Sequence, residues 1–277
     1  MKPAAFDYLR PASLDEALAA LVAEDGREAR PIAGGQSLVP LMNLRLALPD
    51  LLVDLNGLPE LAGIRLAGDR VEIGAMTRQR CLLEDPLIDE RVPLLRLGMA
   101  HVGHLQTRAR GTVGGSLVHA DPAAELPLLM VTLGASIRLQ SRRGLREVPA
   151  ADFFVDAMET GIAADEILVA VSVPVAPPGS RHAFRELARR HGDFAIVAVA
   201  AQCGPAGLAL GVGGLEKVPR RCTGLERALT AGAADRAAAV ADEVACTEPL
   251  SDLHAGAAYR RRLAEVLIGD CLAEVLR

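Results

Sequence analysis

A chain of 277 residues exceeds the roughly 100–200 usual for one domain, so two or three packed units are expected. Its 51% hydrophobic content can fill a substantial core, whereas 3% aromatics and no Trp leave few platforms for base stacking. With 30 basic and 35 acidic residues the formal charge is -5, which argues against nucleic acid or an anionic membrane as partner.

The amino terminus has charged residues recurring throughout and no apolar signal core. No later segment approaches an uninterrupted apolar span of about 18 residues, so a cytoplasmic protein without a membrane span is expected. In SLDEALAALVAEDG a capping box pairs Ser13 with Glu16, apolar Leu14, Ala17, Leu18, Leu21 and Val22 recur at helical spacing, and Gly26 is the stop. ARPIAG and LLVDL read as strands on either side of a glycine loop and a short apolar helix, a β-α-β unit. GIRLAGDRVEIGAM reads as a hairpin turning at Ala67-Gly68-Asp69, and Thr77 to His101 as two helices broken near Pro86.

A second glycine cluster, RGTVGGSLVHADPAAELPLLMVTLG, leads into a helix with Asp121 as cap, Pro122 at its first position and Gly134 as its stop. ASIRLQ and EILVAVSVP follow as strands. Residues 175–180, VAPPGS, form the linker. Beyond it, FAIVAVAAQC and GLALGVGGL make a hairpin around Gly204-Pro205, and TGLERALTAG and YRRRLAEVLIGDCLAEVL read as helices. The fold class is α+β.

Small residues between a strand and a helix let successive backbone N–H groups converge on one anion. Two such segments occur, Ala33-Gly34-Gly35-Gln36-Ser37 and Thr112-Val113-Gly114-Gly115-Ser116, and together they could clamp one diphosphate. A single tight turn remains the plainer reading of either alone. Neither has the G-x-G-x-x-G spacing of a dinucleotide fold, and no Walker loop occurs. The five cysteines lie far apart and read as buried thiols. His101 and His104, with no third ligand, make no metal site.

AGGQSLVPLMNLRLALPDLLVDL, RGTVGGSLVHADPAAELP, RRHGDFAIVAVAA and SDLHAGAAYRRRLAEVL, in that order, resemble the medium, FAD-binding subunit of the molybdenum hydroxylases, the family of carbon monoxide and xanthine dehydrogenases. The resemblance runs from Phe6 to the carboxy terminus. It implies a flavin domain of the vanillyl-alcohol-oxidase (PCMH) type in two subdomains, 1–57 and 58–176, and a small carboxy-terminal α+β domain, 181–277. It implies noncovalent FAD held at its pyrophosphate by Ile32, Ala33, Gly34, Gly35, Gln36, Ser37 and Leu38 and by Thr112, Gly114, Gly115 and Ser116. Glu125 stands where relatives often carry Asp for the flavin hydroxyls, and Asp121 is the nearby substitute. Val102 and Leu168 would line the flavin or serve as plain core; Arg185 would contact it or be a solvated charge. Phe194 replaces a Tyr near the isoalloxazine and would pack on that ring or serve as plain core, and the basic run Tyr259 to Arg262 reads as a solvated face or a docking surface.

Function follows from the same resemblance. In the resembling enzymes a large molybdopterin subunit hydroxylates the substrate and a small subunit with two [2Fe–2S] clusters carries the electrons, so this chain would pass them through FAD to an external acceptor, as part of a dimer of heterotrimers. A free-standing flavin oxidoreductase of the same fold and a flavin-free assembly subunit are the alternatives.

Overall fold

The computed structural model describes residues 2–22, 26–232 and 235–277. It begins with β1 (Asp7–Leu9), α1 (Leu14–Leu21), β2 (Ala29–Ile32), α2 (Leu38–Asn43) and β3 (Leu51–Asp54). Strand β3, buried along its whole length, lies between β1 and β2 and is parallel to both, so the β-α-β expectation holds. Strand β1 was not anticipated, because three residues are too few to show alternation. Ser13 caps α1 by accepting the Glu16 N–H at 3.2 Å, but the return arm differs from a reciprocal box: Glu16 accepts from Ala12 at 2.7 Å. The helix ends at Leu21, ahead of the expected stop, and residues 23–25 lie outside the described ones. Ala17 and Leu18 pack with Val53 and, through two 3-10 turns (Leu55–Gly57 and Pro59–Leu61), with Leu55, Leu58 and Leu61.

Next come β4 (Ile64–Ala67), β5 (Arg70–Gly74), α3 (Cys81–Glu84), α4 (Pro86–Arg91), α5 (Pro93–Met99), α6 (Leu105–Arg110), α7 (Val113–His119) and α8 (Glu125–Thr132). They are followed by β6 (Ser136–Ser141), β7 (Gly144–Pro149), α9 (Ala150–Phe153), β8 (Phe154–Asp156), β9 (Glu159–Thr160) and β10 (Ile167–Pro174). A five-stranded antiparallel sheet runs β4-β5-β10-β6-β7, and the hairpin at Gly68 is as expected. Where two helices were expected before His101, three occur. Pro93, like Pro86, sits at a first helical position, where its missing N–H costs nothing and its ring stops the preceding turn.

Asp121 does not cap α8. That helix begins at Glu125, and the Asp121 carboxylate instead accepts the Ala123 N–H at 2.9 Å within the preceding turn. Strand β7 was missed because GLREVP is exposed and mixes charge with apolar residues.

After a loop at 175–180 the chain forms β11 (Arg181–Ala188), β12 (Ala195–Gly204), β13 (Gly207–Gly213), β14 (Arg220–Arg221), α10 (Thr223–Thr230), α11 (Arg236–Ala245) and α12 (Ala257–Val275). Strands β12 and β13 pair as the expected hairpin. Helix α11, rich in alanine, was not anticipated. Alternation divides this sheet between two cores: Phe184, Ala198 and Ala200 join the one built on α5 and α8, while Ala183, Val197 and Val199 join α12.

The basic run at the start of α12 is not a uniform solvated face. Arg260 is 3% exposed and donates to the carbonyls of Ile196 and Gly214 and to Asp252 at 2.6 Å, tying the 252 turn to the ends of β12 and β13. The cysteines also divide: Cys222 and Cys271 are buried, whereas Cys246 is exposed and Cys81 and Cys203 are half-buried. Among the described residues no helix is long and apolar enough to cross a membrane.

Candidate functional site

The two glycine segments meet. A Cβ on Gly34 would collide with the Arg110 carbonyl and lie 3.0 Å from the Gly111 Cα, so backbone passes against backbone here and only glycine fits. Gly35 has φ +70, a left-handed conformation that branched residues resist. From the other segment, a Cβ on Gly115 would stand 3.7 Å from that of Ala33.

The segments offer different donors. Among the described residues the backbone N–H groups of Gly34, Gly35, Gln36 and Ser37 find no acceptor, and the Ser37 hydroxyl makes no capping bond. Gln36 folds back on the Gly34 carbonyl at 3.3 Å and steadies the turn. Four successive free amides are the kind of donor set from which an anion-binding concavity is built. The second segment departs from the expected amide donor set, because Val113, Gly114, Gly115 and Ser116 lie inside α7. Their N–H groups are committed to Thr77, Ala75, the Thr112 hydroxyl and the Thr112 carbonyl, at 3.0, 2.8, 3.1 and 3.2 Å respectively. Among the described residues, what remains uncommitted is the Thr112 amide and the Ser116 hydroxyl. Here the glycines serve packing: a Cβ on Gly114 would approach Ala75 to 2.7 Å, and one on Gly115 would press on the capping Thr112 hydroxyl at 2.7 Å.

A polar bridge joins the segments from below. Asn56 Nδ2 donates to the Ala33 carbonyl at 2.8 Å and to Asp54 at 2.5 Å, while its Oδ1 accepts from Arg78 at 2.5 Å. The other arm of Arg78 reaches the Arg110 carbonyl at 2.5 Å, and Arg78 stands opposite Thr112 in an isolated antiparallel bridge. The Tyr8 hydroxyl completes the chain by donating to Asp54. Burial pushes the Asp54 carboxyl up, but the bonds from Tyr8 and Asn56 outweigh it and hold the group below its ordinary range. No motif marks Asn56 or Arg78; the only sequence signal is that each lies just past the end of a strand that leads to the site.

A second cluster lies where the loop after α5 and the start of α8 meet the carboxy-terminal sheet. Val102 is 8% exposed, and the Gly103–His104 loop that follows it packs under Gly192 of the turn leading to Phe194. Phe194 itself is 60% exposed, so it is no core residue and its ring is free to cover a ligand. Nearby, His101 pairs with Glu186 at 3.2 Å, and its ring lies tilted at 44° against that of Phe184 with centroids 5.0 Å apart. Glu125, 4% exposed, faces the same group: burial above all pushes its carboxyl up to about 7, Glu186 and Asp121 add to this, and His101 opposes. Leu168 is buried in the large core. Arg185 is not brought to this cluster. It lies on the face of β11 turned toward α12 and pairs with Glu274 at 2.5 Å, because alternation along the strand sends Phe184 and Glu186 the other way.

Residues 4–176 match the FAD binding domain in molybdopterin dehydrogenase, and residues 182–275 match the CO dehydrogenase flavoprotein C-terminal domain. The chain is 40% identical, over 100% of its length and 96% of the relative, to 6-hydroxypseudooxynicotine dehydrogenase complex subunit alpha of Paenarthrobacter nicotinovorans. It is 37% identical to the carbon monoxide dehydrogenase medium chain of Afipia carboxidovorans, with 97% of this chain and 96% of that one covered. Its fold matches a structure of carbon monoxide dehydrogenase from Hydrogenophaga pseudoflava with a TM-score of 0.94 at 34% identity, covering 100% of this chain and 99% of the other. Quinoline 2-oxidoreductase from Pseudomonas putida matches at 0.93 and 37%, covering 99% and 98%.

Proposed function

We propose a function from one premise: this chain belongs to the family of FAD-binding subunits of molybdopterin dehydrogenases. It is a medium, FAD-binding subunit of the kind found in carbon monoxide dehydrogenase and nicotine 6-hydroxylase. On our reading it accepts electrons from a small [2Fe–2S] subunit, supplied in turn by a large molybdopterin subunit, and delivers them to an external acceptor within a dimer of heterotrimers.

The observation that carries this reading is the run of four free amides, Gly34 to Ser37, at the point where two glycine segments touch backbone to backbone. That donor set fits a diphosphate. Ile32 and Ala33 lead into it and Leu38 begins the helix after it, so these residues place the amides. Across the contact, the Thr112 amide and the Ser116 hydroxyl supply the opposing donors, and Gly114 and Gly115 let the second segment approach. Glu125, with Asp121 beside it, suits the hydroxyls of a polyol chain. Phe194, with the little of Val102 that is exposed, offers apolar surface for a ring, and Leu168 is buried in the large core. Arg185, bound to Glu274, is left out of the site. When bound, FAD supplies the electron exchange; the chain's own work is to bind and orient it.

Purified chain should hold about one FAD, colour the protein yellow and release the flavin on acid precipitation. A colourless protein that takes up no added FAD overturns the reading in favour of a flavin-free assembly subunit. Flavin that stays with the denatured polypeptide would reveal a covalent link instead. Metal analysis should find neither iron nor molybdenum in the separated chain, and oxidation of an organic substrate by that chain alone would point to a free-standing oxidoreductase.

A further inference from the structure

The second glycine segment is anchored by backbone bonds to residues 75–79, and two side chains tie the first segment to that unit by taking one carbonyl on each side. Ala33 O accepts from Asn56, Asn56 accepts from Arg78, and Arg78 donates to Arg110 O. Ala33 opens the run of free amides, and Arg110 immediately precedes the segment that ends in Thr112 and Ser116. Because Gly34 already touches the Arg110 carbonyl, a slip of either segment would close or widen the gap between the two donor sets. Asn56 cannot turn freely, since Asp54 takes a second bond from its amide and also accepts from its backbone N–H at 3.0 Å. Charge matters too. Among the described residues Arg78 makes no direct ion pair: its hydrogen bonds go to the Asn56 amide and a backbone carbonyl, and Asp54, on the far side of Asn56, offsets its positive charge only from a distance while Arg110 adds to it.

We propose that Asn56 and Arg78 are positioning residues for the diphosphate of FAD: their bridge sets the separation of the two glycine segments, and the Arg78 cation adds attraction for the anion held between them. The inference rests on the FAD reading above but names residues that act on the site through its backbone. A role in folding alone is the competing explanation. It is weakened by exposure, since Asn56 is exposed and Arg78 half-buried, and neither belongs to a hydrophobic core.

The test titrates FAD, and separately ADP, into the full-length apoprotein of the wild type and of Asn56→Ala, Arg78→Gln, Arg78→Lys and the Asn56→Ala/Arg78→Gln double variant. Apoprotein melting is recorded for each. Asn56→Ala and Arg78→Gln should each weaken FAD about tenfold or more, as expected when a charge-assisted bond is lost. ADP should weaken by the same factor, because the diphosphate is the part both ligands share. Arg78→Lys should recover most of the loss, and raising salt should weaken FAD less in Arg78→Gln than in Asn56→Ala, which keeps the charge. The double variant should bind little worse than the weaker single one, since either break severs the same bridge.

Three outcomes overturn the proposal: FAD affinity within threefold of wild type in both single variants, losses that multiply independently in the double variant, or losses that follow a matching fall in apoprotein melting temperature. Failure of the wild type itself to bind FAD sinks the functional reading above rather than the bridge.

Discussion

Glu125 shows how one buried carboxyl couples the site to pH. Its pKa is raised from 4.5 to about 7, first by burial and then by Glu186 and Asp121, against its own backbone bond and His101. The folded chain therefore binds this proton more tightly than the unfolded chain does. The stabilising contribution is complete below about pH 4.5 and is lost as pH rises toward 7. A shift of that size corresponds to about 3 kcal/mol. His101, raised chiefly by its bond to Glu186, declines in the same direction, so the informative quantity is the difference between variant and wild type. Glu125→Gln cannot ionise. Its apoprotein should gain on the wild type steadily between pH 4.5 and 7.5 in denaturant unfolding, by up to about 3 kcal/mol, and parallel stability curves would refute the buried-carboxyl account. Burial of this residue could not be read from sequence, where Glu125 looks like any acidic residue in a first helical turn.

At the scale of elements, legibility followed contrast between neighbouring residues. Strands β6, β10 and β12 were readable because β-branched and apolar residues cluster there between turn signals, and α1 because Ser13 marks its start. Strand β1 was too short, β7 too charged and α11 too uniformly alanine to stand out. The glycine segments were recognised as a pair, yet their unequal roles were hidden, because a Gly-Gly pair rarely lies within a helix and only the Thr112 cap and the Ala75 contact put one there. The Asn56–Arg78 bridge was invisible, being a contact across 22 positions between residues of no shared pattern. Unequal roles give unequal mechanisms for the same loss. Gly35→Val forces a branched side chain into φ +70, whereas Gly115→Val displaces the Thr112 hydroxyl that caps α7. Either should strip FAD from a chain that still folds, and the double variant should add little. Near-normal FAD affinity in Gly115→Val, measured by titration, would confine the diphosphate to the first segment.

The whole molecule depends on a shared layer. Helices α5 and α8 serve the flavin domain on one side and carry the carboxy-terminal sheet on the other, and Gly98 is so close to Leu129 and Phe184 that a Cβ there would stand 2.6 Å and 3.1 Å from them. Small residues on β13 allow the same closeness from the sheet: a Cβ on Gly213 would rest 3.3 Å from Leu128, and one on Gly211 would strike the Thr132 hydroxyl. Every residue of α8 is buried, so this helix has no face to give to water. Two sequence-matched domains thus share one core through Phe184, Ala198 and Ala200, and the linker at 175–180 separates them in sequence without separating their packing. A chain ending at residue 176 would uncover the α5–α8 surface, and burial of Phe184 alone is worth roughly 2–3 kcal/mol. Continuous apolar surface of that kind drives association. Such a truncation should elute as aggregates or bind a hydrophobic dye strongly, and should not hold FAD, even though it retains both glycine segments and the Asn56–Arg78 bridge. A soluble monomer that binds FAD with the affinity of the full chain would show that α8 tolerates exposure and that the carboxy-terminal domain is dispensable for the site.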